Sequence, residues 1–350
     1  MTDVLVRREG RLGRLTLDRP ASLNALTLGM VRTIDAALTA WDHDDAIAAV
    51  LIDGEGERAF CAGGDIRTLY DAARGGAWAE ARTYFFEEYR LNARLGRYPK
   101  PVVSVMHGLA MGGGIGLGAH VAFRIVTETS RLALPECGIG FSPDVGGTFR
   151  LGRAPGETGL HAALTGARLD PADAIACGFA DRLVPSEQLG ALRDGLSGCR
   201  GRDEVAALIE ALAVAPAASR LVAARDWIDN AYAHETAEAI LAALTSSSEG
   251  ESREAATTID RNSPGSVKIA LRAVREARRT PTLTACLERE FRVTLSRIRD
   301  PDFIEGIRAA VVDKDRTPRW QPARLADVTE VEVARHFVAP EGEAGLGLSA

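Results

Sequence analysis

Apolar and polar residues alternate along the opening residues, and "GRLGRLTL" (10–17) predicts a strand. Leu26, Met30, Ile34, Leu38 and Trp41 then recur at three- and four-residue intervals, the spacing of one helical face. "AIAAVLID" (46–53), "PVVSVM" (101–106) and "VAFRIVT" (121–127) are short apolar runs separated by Gly- and Pro-rich turns and predict buried strands. Strands alternating with helices predict an α/β core over residues 1–203, although no clean internal repeat is visible. From "DEVAALIEALAVAP" (203–216) to "CLEREFRVTLSRI" (286–298) the pattern turns mostly helical, so residues 204–338 are expected to form a C-terminal helical region. The Gly-rich, polar stretch 339–350 is expected to be a disordered tail.

Composition narrows the possible functions. The chain has 350 residues, 46% hydrophobic and 26% charged, with a net charge of −6, an ordinary globular balance without the basic surface a nucleic-acid or anionic-membrane binder needs. No window is apolar for long enough to span a membrane. The opening residues lead straight into strand-like alternation, so the expected location is the cytoplasm. The five cysteines form no CxxC pair and the six histidines are scattered, so neither a disulfide framework nor a metal site is expected.

Three glycine-bearing segments can carry chemistry: "AFCAGGDIR" (59–67), "MHGLAMGGGIGLGAH" (106–120) and "LPECGIGFSPDVGGTFR" (134–150). Taken alone, the first reads as a strand-to-helix turn. Within the second, "GIGLGA" fits the dinucleotide fingerprint G-x-G-x-x-A, but the next strand begins at Val121, leaving about two helical turns where that motif needs a full helix. A serine-hydrolase reading lacks its G-x-S-x-G elbow, and Ser142 is followed by Pro143. The third segment places Glu136 and Asp144 among Leu134, Ile139, Phe141 and Val145, surroundings that raise a carboxylate's pKa toward the range useful for acid–base work.

In this order and at these separations, "FCAGGDI", "HGLAMGGGIGL" and "PECGIGFSPDVGG" resemble the crotonase (enoyl-CoA hydratase/isomerase) superfamily. The runs "SPGSVKIALR", "CLEREFRV" and "DFIEGIRAAVVDKDRTPRWQP" resemble its 3-hydroxyisobutyryl-CoA hydrolase branch, and the likeness covers about residues 5–322. The resemblance implies an α/β crotonase fold, a spiral of ββα units followed by helices. It implies an oxyanion hole from the backbone N–H groups of Gly64 and Gly113, where side chains would obstruct the approach of a thioester oxygen. Hydratases of the superfamily carry two glutamates; this chain has Gly116 at the first position and keeps only Glu136. Asp144 stands where hydratases have glycine and the hydrolase branch has aspartate. Glu88 in "FFEEYRLN" corresponds to a substrate-contacting residue, with an exposed helical glutamate as the alternative. Coenzyme A, bound as part of the substrate, is expected near Cys61, Ala62, Asp65 and Ile66, with its phosphates met by arginines such as Arg19 or Arg67. Cys61 and Cys137 are read as buried filler and not as nucleophiles, and His107 and His120 are left outside the catalytic set. The implied activity is hydrolysis of 3-hydroxyisobutyryl-CoA in valine breakdown, with no metal or redox cofactor and a homo-oligomer, a trimer or a multiple of one. A hydratase or isomerase, or a catalytically silent CoA-binding protein, remains the alternative.

Overall fold

The computed structural model describes residues 3–348. In chain order the strands are β1 (Val4–Glu9), β2 (Leu12–Leu17), β3 (Ala49–Gly54), β4 (Ala59–Cys61), β5 (Val102–Val105), β6 (Leu109–Met111), β7 (Phe123–Val126), β8 (Arg131–Ala133) and β9 (Arg182–Leu183). They form a six-stranded sheet in the order β1-β2-β3-β5-β7-β9 and a three-stranded sheet in the order β4-β6-β8. β1 is antiparallel to β2, and β2, β3, β5, β7 and β9 run parallel. This is the α/β class the sequence predicts. β2, a strand as the sequence predicts, is buried along its whole length. Trp41 lies so close that a Cβ on Gly13 would sit 2.6 Å from its ring. Arg14, pointing inward, is neutralised by Asp53 at 2.8 Å and Glu9 at 3.2 Å.

The chain divides into two compact units, each assembled from separated stretches. The first comprises 1–64, 90–132 and 169–219. Its core packs Leu12, Leu51, Val103 and Ile125 of the six-stranded sheet against Leu192, Leu196, Val205 and Ile209. The helix predicted at Leu26–Trp41 spans Leu28–Asp42, capped by the Thr27 side chain accepting from Met30 N–H, and buries Met30, Ile34, Leu38 and Trp41. The expected break near residue 203 gives way. Helix Arg202–Leu212 contributes Val205 and Ile209 to the sheet's own core, so a helical sequence texture did not mark a separate domain.

The second unit comprises 65–89, 133–168 and 220–350, of which 349–350 lie outside the described residues. It is helical, as the C-terminal pattern predicts. Helix Pro264–Arg278 starts at a Ser263 cap with Pro264 in its first turn, and helix Leu283–Arg297 follows after a Thr282 cap. The tail expected to be disordered is held in place over its described part. Glu343 pairs with Arg82 at 2.5 Å and Arg299 at 3.0 Å, Leu346 N–H donates to Glu288, and Leu346 is buried. Its glycines lower the local propensity for structure, but these charged anchors and one buried leucine outweigh that.

Candidate active site

In the first unit, β4 and β6 run parallel, with Ala59 opposite Leu109 and Cys61 opposite Ala110. The two strands therefore end side by side, one leading into Gly63–Gly64 and the other into Gly112–Gly113. Each glycine of the triplet has its own reason. Gly112 has φ 44° and ψ −117°, a conformation hostile to side chains. Gly113 is the first residue of the helix Gly113–Gly118, so its N–H has no partner inside that helix. Gly114 packs so tightly that a Cβ would lie 2.3 Å from the Cys61 carbonyl oxygen. On the β4 side, Gly63 has φ 105°, and its carbonyl accepts from Leu26 N–H at 2.8 Å, a bond that does not use the Gly64 N–H. Gly64 and Gly113 thus follow the ends of two paired strands.

In the second unit, four carboxylates are buried together: Glu88, Glu136, Asp144 and Glu290. Glu136 opens a short 3-10 turn, Glu136–Ile139, whose Phe141 N–H returns to the Glu136 carbonyl at 3.0 Å. Glu136 Oε2 is buried without a hydrogen-bond partner. Burial first, then the nearby charges of Asp144 and Glu290, hold the Glu136 carboxyl well above the ordinary glutamate value. Burial also pushes Asp144 up, to about 8, against the opposing hydrogen bond from Tyr89. Tyr89 Oη lies 2.5 Å from Asp144 Oδ2. Glu88 is raised by burial and by Asp144 while its Oε1 accepts from Tyr84 at 3.3 Å; it is buried, which removes the exposed-helix alternative. Glu290 is pushed to about 7 by burial, opposed by the Thr148 hydroxyl and the N–H groups of Gly146 and Thr148.

The remaining expected residues fall less clearly. Cys61 ends β4, buried, and Ala62 N–H donates to Leu23 O at 3.0 Å. Asp65 caps the helix Ile66–Arg74 by accepting from Thr68 N–H at 3.4 Å, a structural task sufficient to explain it. Arg67 is exposed, while Arg19 Nη1 is already 2.5 Å from Ala25 O. All five cysteines are buried and unbridged, and burial pushes the Cys137 thiol up, consistent with packing and not with nucleophilic attack. Among the described residues no group of three or more His, Cys, Asp or Glu is arranged to hold a metal ion, and no helix is long and apolar enough to cross a membrane. Sequence reasoning missed Tyr89, Glu290 and Thr294. Tyr89 adjoins Glu88, and both others lie in the "CLEREFRVTL" stretch, whose several charged residues left Glu290 and Thr294 with no local signal to single them out.

The buried acids carry a stability cost with a definite sign. An unfolded chain releases its glutamate protons near the ordinary value of 4.5, whereas folded Glu136 holds its proton to higher pH, so stability falls as pH rises through that window. Glu136→Gln is therefore expected to raise the thermal midpoint more at about pH 8 than at about pH 5. The sign follows from linkage alone, since the protein loses stability at each pH where the folded state holds a proton that the unfolded state has released. Unfolding curves at the two pH values check it, and equal gains at both would contradict the burial argument.

A family model for enoyl-CoA hydratase/isomerase matches residues 12–337. The chain belongs to that family. Among its curated relatives, "3-hydroxyisobutyryl-CoA hydrolase 1" of Arabidopsis thaliana is 38% identical, over 99% of this chain and 94% of that one. The mitochondrial 3-hydroxyisobutyryl-CoA hydrolase of Homo sapiens is also 38% identical, over 96% of this chain and 88% of its own length. These relatives place the chain in the hydrolase branch of the enoyl-CoA hydratase/isomerase family. Two solved structures share the fold closely. A carnitinyl-CoA dehydratase from Mycobacterium thermoresistibile is 47% identical with a TM-score of 0.93, covering 98% of both chains. An enoyl-CoA hydratase from Rhodobacter sphaeroides is 43% identical with a TM-score of 0.92, covering 99% of this chain and 100% of that one.

Proposed function

We propose that this chain is an acyl-CoA thioester hydrolase whose substrate is 3-hydroxyisobutyryl-CoA, a step of valine degradation. The observation that carries the reading is Glu136, buried with Oε2 unpartnered and its carboxyl poised to exchange a proton. The Gly64 and Gly113 N–H groups would stabilise the oxyanion formed when the thioester carbonyl is attacked, a pair of donors aimed at developing charge. Glu136 would either take a proton from water or attack the carbonyl itself. In both routes the C–S bond breaks, one water is consumed and CoA leaves as a thiol; water adds directly to the acyl carbon in the first route and opens the acyl–glutamyl anhydride in the second. Asp144 would accept hydrogen bonds from the β-hydroxyl and the water. Glu88, Cys61, Ala62, Asp65 and Ile66 would line the substrate, with Arg67 and Arg19 available to the CoA phosphates. This chemistry requires no metal or redox cofactor, CoA being part of the substrate. Cytoplasmic residence and a homo-oligomer, a trimer or a multiple of one, belong to the same proposal, in contrast to the mitochondrial relatives; cell fractionation and light scattering test them.

The dehydratase and hydratase described at 47% and 43% identity favour a second reading, addition or removal of water across a C=C bond. Against it stands Gly116, buried within the Gly113–Gly118 helix where superfamily hydratases carry a second glutamate. Incubation with 3-hydroxyisobutyryl-CoA and with crotonyl-CoA, following free thiol in one arm and loss of the double bond in the other, separates the readings. Binding without turnover of either would leave a silent CoA-binding protein. Asp144→Gly is expected to lower kcat/KM for the 3-hydroxyacyl-CoA more than for the acyl-CoA lacking the hydroxyl. The discrimination is about 1–3 kcal/mol, the range for hydrogen bonds to a charged group. Equal losses on the two substrates would mean that Asp144 does not read the hydroxyl.

A further inference from the structure

Asp144 is gripped from a helix far along the chain. Tyr89 Oη lies 2.5 Å from Asp144 Oδ2 and 2.7 Å from Thr294 Oγ1, and Tyr89 is fully buried. Its ring stands edge-on between Phe85, with centroids 5.9 Å apart, and Phe291, 6.0 Å away. One turn before Thr294 on the same helix, Leu283–Arg297, Glu290 accepts from Gly146 N–H at 2.6 Å and Thr148 N–H at 3.0 Å, and also from the Thr148 hydroxyl. Gly146 and Thr148, two and four residues after Asp144, are therefore tied to Glu290 while the Asp144 side chain is tied, through Tyr89, to Thr294.

We propose that Tyr89, Thr294 and Glu290 form a positioning system for Asp144, in which the Tyr89 hydroxyl fixes one carboxylate oxygen and favours its ionised form. This deepens the hydrolase reading and rests on it for its kinetic readout only. A tyrosine hydroxyl has one proton. When Asp144 is ionised, Tyr89 donates to it and Thr294 donates to Tyr89; when Asp144 is protonated, the chain of donors reverses and Thr294 accepts. The relay therefore discriminates between the two charge states, and it engages Oδ2 alone of the two Asp144 oxygens. The ionisable groups facing this carboxylate are Glu88 and Tyr89 from the helix Trp78–Leu95, Glu136 from its 3-10 turn, and Glu290, itself beside Arg289. Three of the four acids oppose a charge on Asp144, which is why a donor at this oxygen matters.

Removing that donor must raise the pH at which Asp144 ionises, since a hydrogen bond to the charged form favours it. The test is a ¹³C NMR titration of aspartate-labelled protein, with Asp144→Asn identifying the resonance, for the native chain, Tyr89→Phe, Thr294→Val and Thr294→Ser. The midpoint is expected to rise by ~1 pH unit in Tyr89→Phe, by less in Thr294→Val, and to return toward native in Thr294→Ser. The acidic limb of kcat/KM for 3-hydroxyisobutyryl-CoA should move the same way. An unmoved midpoint in Tyr89→Phe, or in Thr294→Val should Tyr89→Phe not fold, overturns the proposal even if activity falls. A moved midpoint supports it even if the native chain releases no CoA, and in that case it is the hydrolase reading that fails.

Discussion

Glu136→Gln is expected to lower kcat for CoA release by about 10³-fold or more while acyl-CoA binding survives, because the amide keeps the size of the side chain but can neither take a proton nor attack a carbonyl. The site explains why the loss should be large. Glu136 Oε2 has no internal hydrogen bond to fall back on, so its chemistry is directed at whatever enters. Single turnover in ¹⁸O-water separates its two roles, since only an anhydride route can place solvent oxygen in the glutamate itself. Native-like kcat in the Gln variant would remove Glu136 from the mechanism under both routes. The same substitution is expected to stabilise the fold at alkaline pH, so a gain in stability with a loss of turnover would mark this acid as held for function at the fold's expense.

The second large effect contrasts two adjacent glycines. Gly113→Val is expected to lower kcat/KM by about 10²-fold or more, matching the roughly 3 kcal/mol supplied by one oxyanion donor, because a branched side chain beside the first helical N–H blocks the approach of the thioester oxygen. Gly114→Ala is expected to act on stability instead. Its Cβ would lie 2.3 Å from the Cys61 carbonyl oxygen, and overpacking against backbone costs about 1–3 kcal/mol or more. Thermal unfolding and kcat/KM measured on both proteins check the contrast. A Gly113 variant that loses stability and activity together would show that the triplet serves packing throughout.

Much of this architecture was legible in local pattern. Leu12–Leu17, Ala49–Gly54, Val102–Val105 and Phe123–Val126 are strands where apolar runs predict them, and the Met30–Trp41 face is buried. The three-residue strands β4, β6 and β8 were not, since a run that short carries no periodicity. The division of the chain escaped for a different reason. Helix Arg202–Leu212 has the same alternation of alanine, leucine and charge as the helices beyond it, and only its partners, Leu196 and the sheet, decide where it belongs. At the site, Glu136 and Asp144 stood out because acids are rare in apolar glycine-rich sequence. Glu290 and Tyr89 did not, because a glutamate in a charged helix and a tyrosine beside two phenylalanines are ordinary until the fold closes over them.

The interleaving of the two units has a consequence for biogenesis. Neither is a contiguous stretch: the first needs the chain as far as residue 219, and the second draws on 65–89, 133–168 and everything from 220. A ribosome therefore cannot release a finished N-terminal domain and proceed to the next. Most apolar faces of the nascent chain must wait, unpaired, for segments not yet synthesised, the condition under which chaperones are engaged and aggregation competes. Because Glu290 and Thr294 emerge some two hundred residues after Tyr89, the helix that holds Asp144 is among the last segments to leave the ribosome. Termination between residues 148 and 283 would yield a chain that has Gly64, Gly113, Glu136 and Asp144 and lacks the helix carrying Glu290 and Thr294.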